Sequence, residues 1–315
     1  KLKNTYIDKI IPQLNRDSRL RTNFNLHGTV AGRLSSSGKL NMQQIPRDNP
    51  IIKGCIKAPP GRKIVAMDLT TAEIYIAAVL SKDKKLQAIF KAGTNFHSTV
   101  AKDVFNLPCE VEKVADLYPE YRQATKAVNF GIIYGAGAPT ISSQVNKDGG
   151  NLSVGEAQEI IDQYFRNFRT LKAWIDRNKA IIARNGHVYS HFGRKRRLPD
   201  VQSDNKGTVA HAIRSGLNFI VQSPASDVNL IGAMEAQEIV ESDELDVNMF
   251  ALVHDSVLAD VAEDDVDIYS QVLQTCIQRD RGISIPGCPI GCDFDIGDDY
   301  SFGKFEKSYA GRIDV

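Results

Sequence analysis

The stretch Arg122-Gln-Ala-Thr-Lys126-Ala-Val-Asn-Phe130-Gly-Ile-Ile-Tyr134-Gly135 places four long side chains at intervals of four residues. On an α-helix a step of four residues turns the chain by about 400°, so these side chains form one slanting stripe. Two cations begin the stripe and two aromatic rings end it. This composition suits a ligand that is phosphate at one end and flat at the other, such as a nucleoside triphosphate.

The same spacing is also typical of a snorkelling surface helix with a partly buried seam, and the run alone favours that interpretation. Gly131 and Gly135 argue against it, because glycine costs roughly 1 kcal/mol in a helix interior. Two glycines so close together indicate that something packs tightly against the helix backbone. The following Gly135-Ala-Gly137 is not a dinucleotide fingerprint, since that motif requires a preceding strand.

The composition bounds the class of protein. The 315 residues are 42% hydrophobic and 24% charged, which is typical of a soluble globular protein with room for two subdomains. A net charge of +1 gives no global nucleic-acid signal, so such binding requires local patches. The basic segment 184–197 is one candidate, and a solvated turn is the equally weighted alternative.

The compartment and the extent of the chain follow from simpler signals. Five scattered cysteines, with no completed zinc ligand set, predict free thiols in a reducing compartment. No stretch reaches the roughly 18 apolar residues of a membrane span, and no signal peptide is recognised. We therefore expect a cytoplasmic protein without membrane association. Because the chain starts at Lys1, a fragment or a processed product is expected.

The hydrophobic patterns predict a mixed α+β fold, with a long helical insertion between two strand-bearing parts. The predicted strands are 63–67, a hairpin of 249–253 with 257–261, short strands within a structured loop at 22–50, and a short final strand. The predicted helices are a short one within 1–20, then 71–80, 96–105, 119–134, 154–166, 168–185, 208–222, 225–239 and one near 264–279.

Two aspartates stand at the ends of predicted strands. Asp68 ends strand 64–68, and Asp255 lies at the tip of the hairpin. An Asp in either position is most often a turn former or a helix cap, and for each residue alone that alternative stays open. If strands 64–68 and 249–253 are neighbours, the two carboxylates meet at one edge. Like charges so close require a cation, and oxygen ligands favour Mg²⁺. Two such ions about 3.5–4 Å apart serve phosphoryl transfer.

Six segments of the chain closely resemble segments of the family A DNA polymerases, the bacterial polymerase I and phage type. They follow the order that the family has in its polymerase half, and they extend along nearly the whole chain. They are Gly32–Ser37 with Asn41–Pro46 (upstream template-primer segment), Asp68–Glu73 (motif A), Arg122–Gly135 (motif B), Gly193–Pro199 (basic turn of the fingers), Arg214–Gln222 (helix before motif C) and His254–Ser256 (motif C). Each match is modest alone, and six in register are specific.

The resemblance implies a right-hand architecture, in which a palm of antiparallel sheet and helices is interrupted by helical fingers. Its expected divisions are 1–20 thumb remnant, 21–92 palm (first part), 93–206 fingers and 207–315 palm (second part). It further implies template-directed DNA polymerisation from dNTPs on primer-template DNA, with two Mg²⁺ for which Mn²⁺ substitutes. We expect phage-like replication and a separate N-terminal polymerase fragment that carries the thumb and exonuclease.

The resemblance also implies a role for individual residues. Asp68 and Asp255 would hold the metals with the Leu69 carbonyl, and Lys126 would also act as a general acid. Glu73, bonded to Tyr134, would exclude a 2′-OH. The residues implied to bind the incoming dNTP are Arg122, Lys126, Phe130, Tyr134, Glu73 and His97. The residues implied to bind DNA are Arg33, Asn41, Gln43, Arg214, Asn218, Gln222 and His254.

Three positions depart from the family pattern. Ser256 replaces the usual Glu of motif C, Tyr75 replaces a common Arg, and Leu69 replaces a frequent aromatic residue. These departures affect the expected rate and fidelity more than the expected reaction. Two alternatives stay open: a single-subunit RNA polymerase, against which Glu73 argues, and a non-catalytic DNA-binding half of a split polymerase that needs a partner chain.

Overall fold

The computed structural model describes residues 4, 6, 8–14, 16–38, 41–46 and 49–304. The chain divides into two compact units. The first, here called the sheet unit, comprises residues 1–70, 226–279 and 291–315, as far as they are described. The second, the helical unit, comprises residues 71–225 and 280–290. The predicted mixture of helix and sheet is confirmed.

The described strands are β1 Asn23–Asn25, β2 Ser35–Ser37, β3 Arg62–Thr70, β4 His187–Tyr189, β5 Lys195–Arg197, β6 Val247–Val253, β7 Ser256–Ala262 and β8 Gly291–Gly297. The described helices are α1 Asp8–Ile10, α2 Pro50–Gly54, α3 Ala72–Ser81, α4 Lys84–Lys91, α5 Phe96–Phe105, α6 Val114–Leu117, α7 Pro119–Ile133, α8 Ala138–Lys147, α9 Val154–Asn167, α10 Arg169–Asn185, α11 Lys206–Ser242 and α12 Val266–Gln278. Much of the short helix predicted within 1–20 lies outside the described residues.

The sheet unit is built on four antiparallel strands in the order β6-β7-β3-β8. The apolar run of β3 is buried from Ile64 to Met67, because both faces of the sheet are covered. Ile64 and Ala66 pack with Ala251 and Leu258 on one face. Helix α12 contacts β3, β7 and β8. A central strand of this kind gives a rigid support for the polar residues at its end.

The strand order corrects one expectation about the two aspartates. Strands 64–68 and 249–253 are not neighbours, because β7 turns back after a two-residue loop and lies between β6 and β3. Strand β3 also continues to Thr70, so Asp68 lies within the strand and not at its end. Asp68 therefore pairs with the first residue of β7 rather than with the hairpin tip.

The helical unit is arranged around α7, whose residues Val128 and Ile132 are buried against neighbouring helices. The glycines of the stripe allow close approach, as predicted. A Cβ at Gly131 would lie 3.1 Å from Ile141 Cγ1 of α8. Gly135 has a φ of +67°, and a Cβ there would lie 2.9 Å from Arg214 Cγ. The stripe helix is therefore packed on its backbone side and is not a free surface helix.

One long helix replaces the two helices predicted over 208–222 and 225–239. Helix α11 runs without a break through Pro224, which should cost about 3 kcal/mol in a helix interior. The residues on either side, Ser223 and Ala225, are fully buried. Tertiary packing therefore holds the helix together where local preference predicts an end. Despite its length, neither α11 nor any other helix in the described part of the chain is long and apolar enough to cross a membrane.

Candidate functional site

The first part of the candidate site is a row of polar residues across three strands of the sheet unit. Asp68 in β3 is paired with Ser256 of β7 on one side and with Asp293 of β8 on the other. Ser256 Oγ donates a hydrogen bond of 2.8 Å to Asp68 Oδ1. Both Asp68 and Asp293 are exposed. Like charges at directly opposed positions destabilise a sheet, so a cation at this edge would relieve their repulsion.

Asp255 lies beside this row, in the two-residue loop between β6 and β7. The preceding His254 has a φ of +57°, a left-handed conformation that His adopts more readily than most residues. Arg33 Nη2 lies 2.8 Å and 3.0 Å from the two carboxylate oxygens of Asp255. The Asp255 side chain is only 20% exposed. The second predicted metal ligand is therefore paired with a guanidinium group in this state.

Gln43 holds the segment that carries Arg33 against the sheet. Its Nε2 donates to the carbonyl oxygen of Leu34 at 2.8 Å and to that of Leu252 at 3.3 Å. Its Oε1 accepts from the backbone N–H of Ser36 at 3.1 Å. Gln43 was predicted to contact DNA, and these bonds give it a positioning role beside Asp255.

The donor chemistry at this edge suits a hard cation. Carboxylate oxygens are the ligands that Mg²⁺ takes, usually one or two of them together with substrate phosphates. Among the described residues, no three His, Cys, Asp or Glu side chains form a preformed metal cluster. Leu69 is buried and pairs with Cys292 of β8, and the role of its carbonyl stays a prediction.

The second part of the candidate site is the stripe on α7 in the helical unit. Arg122, Lys126 and Phe130 lie on the helix, and Tyr134 follows it as the C-cap residue. Arg122 Nε donates to Ser98 Oγ at 3.2 Å. Lys126 is exposed, and within the described ranges it forms no ion pair. The Arg122 charge is therefore hydrogen-bonded to a neutral hydroxyl, and the Lys126 charge is uncompensated.

His97 lies behind the two cations. It is 9% exposed, its Nδ1 lies 3.1 Å from the Asn129 amide nitrogen, and its ring centre lies 5.5 Å from that of Phe130. Burial, and after it the charges of Arg122 and Lys126, lowers the pKa of His97 to about 4. An amide nitrogen only donates, so Nδ1 accepts and the proton of the neutral ring is on Nε2. His97 is thus a neutral hydrogen-bond donor beside two cations.

Glu73 and Tyr134 form the bond that the resemblance implied. The Tyr134 hydroxyl donates to Glu73 Oε1 at 2.9 Å. Glu73 lies in the first turn of α3 and is 8% exposed. The N-cap residue Thr71 has a φ of +51°, an uncommon conformation for a β-branched residue. The bond is confirmed, and the exclusion of a 2′-OH by Glu73 stays a prediction.

The remaining predicted DNA contacts fall into two groups. Asn41 caps a 3₁₀ turn by accepting from the Gln43 N–H at 3.0 Å, and His254 is exposed in the β6–β7 loop. Arg214, Asn218 and Gln222 lie four residues apart on α11 and are each partly exposed. Oriented to satisfy its neighbours, the Asn218 amide nitrogen lies 3.2 Å from the carbonyl oxygens of Ile133 and Arg214. Contact of either group with DNA stays a prediction.

Tyr75 has a structural explanation. Its side chain is 1% exposed, its hydroxyl donates to the Cys288 carbonyl at 2.7 Å, and it accepts from the Ile285 N–H at 2.9 Å. Burial raises the pKa of Tyr75 to about 12. The departure from Arg at this position therefore anchors segment 280–290 within the helical unit and adds no charged group.

Sequence reasoning missed four participants: Asp293, which pairs with Asp68, and the polar partners Ser98, Asn129 and Arg33, the last as a partner of Asp255. Arg33 was predicted to bind DNA, not a carboxylate. Local signals existed for Asn129, which lies one residue before Phe130 on α7, and for Ser98, which lies one residue after His97 on α5. The others come from segments far apart in the chain, which local patterns do not connect.

Carboxylates suited to a cation, in the sheet unit, and cations beside aromatic rings, in the helical unit, are each typical of the class of proteins that bind phosphate esters. Comparison with known proteins is consistent with this class. A sequence model of DNA polymerase family A matches residues 1–301. The chain is 47% identical to the DNA polymerase of Escherichia phage T5 over 98% of this chain, and 35% identical to the thermostable DNA polymerase I of Thermus aquaticus over 72% of it. The chain belongs to DNA polymerase family A.

The fold agrees with this membership. The structure is similar to the POL domain of Pol1 from M. smegmatis, solved in complex with DNA primer-template and dNTP, with a TM-score of 0.85 and 25% sequence identity. The match covers 96% of this chain and 52% of that chain. The chain spans 39% of the length of the phage T5 protein and 27% of that of the Thermus aquaticus protein.

Proposed function

We propose that this chain catalyses template-directed DNA synthesis by nucleotidyl transfer. The observation that supports this most directly is the pair of aspartates at one sheet edge, in a chain that matches the family over residues 1–301. In the reaction the primer 3′-OH loses its proton and attacks the α-phosphorus of a dNTP. The new P–O bond forms as the bond to the β-phosphate breaks, and pyrophosphate leaves. The 1–20, 21–92, 93–206 and 207–315 divisions are part of the proposal.

Asp68 and Asp255 are the residues that would hold two Mg²⁺, with the Leu69 carbonyl as a further oxygen. The exposed Asp68 carboxylate, opposed by Asp293 on the next strand, fits a hard cation, and the Asp255 carboxylate lies in the loop that leads into Ser256, the other strand neighbour of Asp68. When bound, such ions stabilise the charge on the attacking and leaving oxygens. Arg33 must release Asp255 before that carboxylate can coordinate an ion. We propose that primer-template DNA, which Arg33 is expected to contact, draws the guanidinium away.

The α7 stripe is proposed to bind the triphosphate. Arg122 and Lys126 supply positive charge, and neutral His97 supplies an N–H from its Nε2. Charge-assisted hydrogen bonds of this kind are about twice as strong as neutral ones. Lys126 is also proposed to protonate the leaving pyrophosphate. Phe130 packs on the sugar and base, and Tyr134 guards the templating position.

Glu73 is proposed to select deoxyribonucleotides. Its carboxylate is buried and hydrogen-bonded to Tyr134, so it cannot move aside cheaply for a 2′-OH. This feature favours a DNA polymerase over the single-subunit RNA polymerase alternative. It also predicts that Glu73→Ala admits ribonucleotides while the parent chain rejects them.

The biological setting is a further part of the proposal. Identity of 47% to a phage T5 DNA polymerase supports a role in phage-like DNA replication, in the cytoplasm of the host. A separate N-terminal polymerase fragment that carries thumb and exonuclease is a partner within this proposal. Asn41, Gln43, His254, Arg214, Asn218 and Gln222, together with Arg33, are the proposed primer-template contacts.

The test is single-nucleotide extension of a labelled primer in Mg²⁺, with the chain alone and with an added N-terminal fragment of the phage T5 polymerase. We expect addition of the templated dNTP and not of its ribo counterpart. Equal use of both nucleotides would favour the RNA polymerase alternative. Primer-template binding without extension, even with the added fragment, would contradict the proposal and favour a non-catalytic DNA-binding role.

A further inference from the structure

A strongly basic pocket opens in the helical unit, away from the stripe on α7. It is formed where α3 gives way to α4 and where α9 gives way to α10, and its volume is about 570 Å³. Five cations line it: Lys82, Lys84, Lys85, Arg166 and Arg169. We call these five residues and the space between them the basic pocket. The proposed function uses none of them.

A buried aspartate holds the two walls of the basic pocket together. Asp83 is 3% exposed, and its two carboxylate oxygens accept from the backbone N–H groups of Leu86, at 3.1 Å, and Leu171, at 3.0 Å. It thus caps α4 and the first turn of α10, 88 residues further along the chain. Among the described residues that line the pocket, Asp83 is the only carboxylate, and it is turned inward and joins the two walls that carry the cations.

The remaining charge of the basic pocket is mostly uncompensated. Lys85 Nζ lies 2.6 Å from Asn167 Oδ1 on the opposite wall and 3.4 Å from Asp103. The other four cations are exposed, and among the residues that the structure describes none of the four forms an ion pair. Four like charges around one opening repel each other. An anion in the opening would relieve that repulsion.

The basic pocket is distinct from the nucleotide site of the helical unit. Glu73 lies in the first turn of α3, and Lys82 is the C-cap residue of the same helix. Nine residues of helix separate them by about 14 Å at 1.5 Å per residue. The pocket and the Glu73–Tyr134 bond therefore lie at opposite ends of α3.

The form of the basic pocket selects among anions. Its cations stand on long, exposed side chains, and its one deeply buried polar side chain, Asp83, is an acceptor. A small free anion is held best by enclosed donors, which this opening does not offer. A strand that carries successive phosphates gains from several exposed cations at once, through release of its counterions.

We propose that the basic pocket binds the backbone phosphates of single-stranded DNA. We identify this strand as the unpaired template ahead of the primer, and this identification rests on the proposed function. The binding of phosphates by the pocket does not depend on that function. Free polyphosphate is the other source of the same chemistry, and its competition is measured separately below.

The experiment compares two double variants of the whole chain. Lys84→Gln with Arg169→Gln removes two cations of the basic pocket. Lys113→Gln with Arg177→Gln removes two exposed cations elsewhere in the helical unit, and so makes the same change in net charge. Binding of a fluorescent single-stranded oligonucleotide is followed by anisotropy over a range of salt concentrations, without dNTP. Circular dichroism confirms that both variants are folded.

We expect the pocket variant to bind about tenfold more weakly and to lower the salt slope by about 1 to 2, with the control variant close to the parent. Equal weakening of oligonucleotide binding in both variants would show that only net charge matters and would overturn the proposal. Unchanged oligonucleotide binding in both variants would also overturn it. Competition by free tripolyphosphate at concentrations below those of oligonucleotide phosphate would assign the pocket to a free anion instead.

A separate measurement keeps this proposal apart from the proposed function. Extension of a primer by one nucleotide on a template with a one-nucleotide overhang does not require unpaired template ahead. We expect the pocket variant to retain this extension, and to lose affinity only when the overhang is long. If the parent chain fails to extend the primer, the proposed function fails, and the oligonucleotide comparison still decides whether the basic pocket binds a strand.

Discussion

Two regions of the molecule carry opposite charges and differ in how those charges are paired. One is the acidic sheet edge around Asp68 and Asp255, and the other is the basic, exposed face of α7. At the sheet edge, Asp68 accepts from Ser256 and Asp255 is paired with Arg33, so both carboxylates have partners within their own unit. On α7, Lys126 has no ion-pair partner in the described part of the chain. Asp255 must exchange its partner before it can bind a cation, whereas Lys126 has no ion pair to break in the described part of the chain.

The difference follows from how the two regions are built. The acidic edge comes from backbone register, which sets residues of three strands side by side whatever their charge. The basic face comes from helix packing, which buries Asn129 and His97 behind the cations. His97 is kept neutral there, so it adds a donor without adding a third positive charge. Substitutions on either side of the molecule test this contrast.

The largest expected effect is on the acidic side. Asp68→Asn or Asp255→Asn, each made alone, should lower kcat for nucleotide addition by about a thousandfold, because each removes a proposed charged metal ligand. The measurement is single-turnover primer extension in Mg²⁺. Asp264→Asn, an exposed acid of the same unit outside the row, is the matched control and should keep parent activity.

The contrast between the two aspartates gives this test a second reading. Asp255→Asn also removes the negative charge that pairs with Arg33, whereas Asp68→Asn removes only the charge on the acceptor of the Ser256 hydroxyl. We therefore expect Asp255→Asn to lose more thermal stability than Asp68→Asn in the absence of DNA. Unchanged extension by either variant would show that the two-metal assignment is wrong.

The next effect is on the basic side. Lys126→Gln should lower kcat/KM for dNTP by about a hundredfold, because Lys126 has no ion pair in the described part of the chain and is proposed to bind the triphosphate directly. Arg122→Gln should have a smaller effect on kcat, since Arg122 is braced by Ser98 and is not the proposed proton donor. Lys113→Gln serves as the control. A Lys126→Gln enzyme with parent kcat/KM would place the triphosphate elsewhere.

The parts of the molecule that the sequence predicted are those set by local geometry. The stripe at intervals of four and the packing at Gly131 and Gly135 followed from helix geometry alone. The order β6-β7-β3-β8 did not, because strand pairing joins distant segments and the hydrophobic pattern of β3 fits several neighbours. The hydrophobic pattern predicted two helices, 208–222 and 225–239, whereas packing around Ser223 and Ala225 carries one helix through Pro224.

The candidate site shows the same limit. The identities of Asp68, Asp255 and Glu73 could be predicted from motifs, whereas their partners could not. Ser256 bonds Asp68 across 188 residues, and Arg33 pairs with Asp255 across 222. Only the bond of Glu73 to Tyr134 was expected, through the resemblance. Partner choice depends on side-chain reach in the folded unit, which no local pattern encodes.

A smaller effect concerns the stability of the basic side. In the folded chain the pKa of His97 is about 4, against an ordinary value of 6.5. Between these values the unfolded chain binds a proton that the folded chain does not, so stability falls as the pH is lowered from about 6.5 to 4. The contribution present above pH 6.5 and lost toward pH 4 is on the order of 2 kcal/mol.

Urea unfolding of the parent and of His97→Gln at pH 7.5 and pH 5 isolates the contribution of His97 to the free energy of unfolding. The parent should lose more stability than His97→Gln on going to pH 5, since other groups titrate in both. His211→Gln, which alters an exposed histidine of α11, should behave as the parent does. Equal losses in the parent and His97→Gln would mean that His97 is not held neutral by its surroundings.

The smallest expected effect tests the hydroxyl that replaces a carboxylate in motif C. Ser256 Oγ donates to Asp68 Oδ1 at 2.8 Å and so fixes the orientation of a proposed metal ligand. Ser256→Ala should weaken Mn²⁺ binding about threefold to tenfold, since the bond involves a charged acceptor but is exposed to water. Ser256→Thr keeps the hydroxyl and should therefore keep the Mn²⁺ affinity of the parent.

Electron paramagnetic resonance of free Mn²⁺ measures this binding without DNA or dNTP, so the result does not depend on catalysis. A purely structural role for Ser256 would lower thermal stability in Ser256→Ala and leave Mn²⁺ affinity unchanged. Comparison with Arg33→Gln then sharpens the contrast between the two aspartates. Removing the guanidinium should strengthen Mn²⁺ binding, because it takes away a cation paired with Asp255, whereas removing the Ser256 hydroxyl should weaken Mn²⁺ binding by loosening Asp68. A gain in Mn²⁺ affinity in Arg33→Gln would identify Arg33 as a competitor for the metal site. A loss of Mn²⁺ affinity in Ser256→Ala would identify Ser256 as a support of that site.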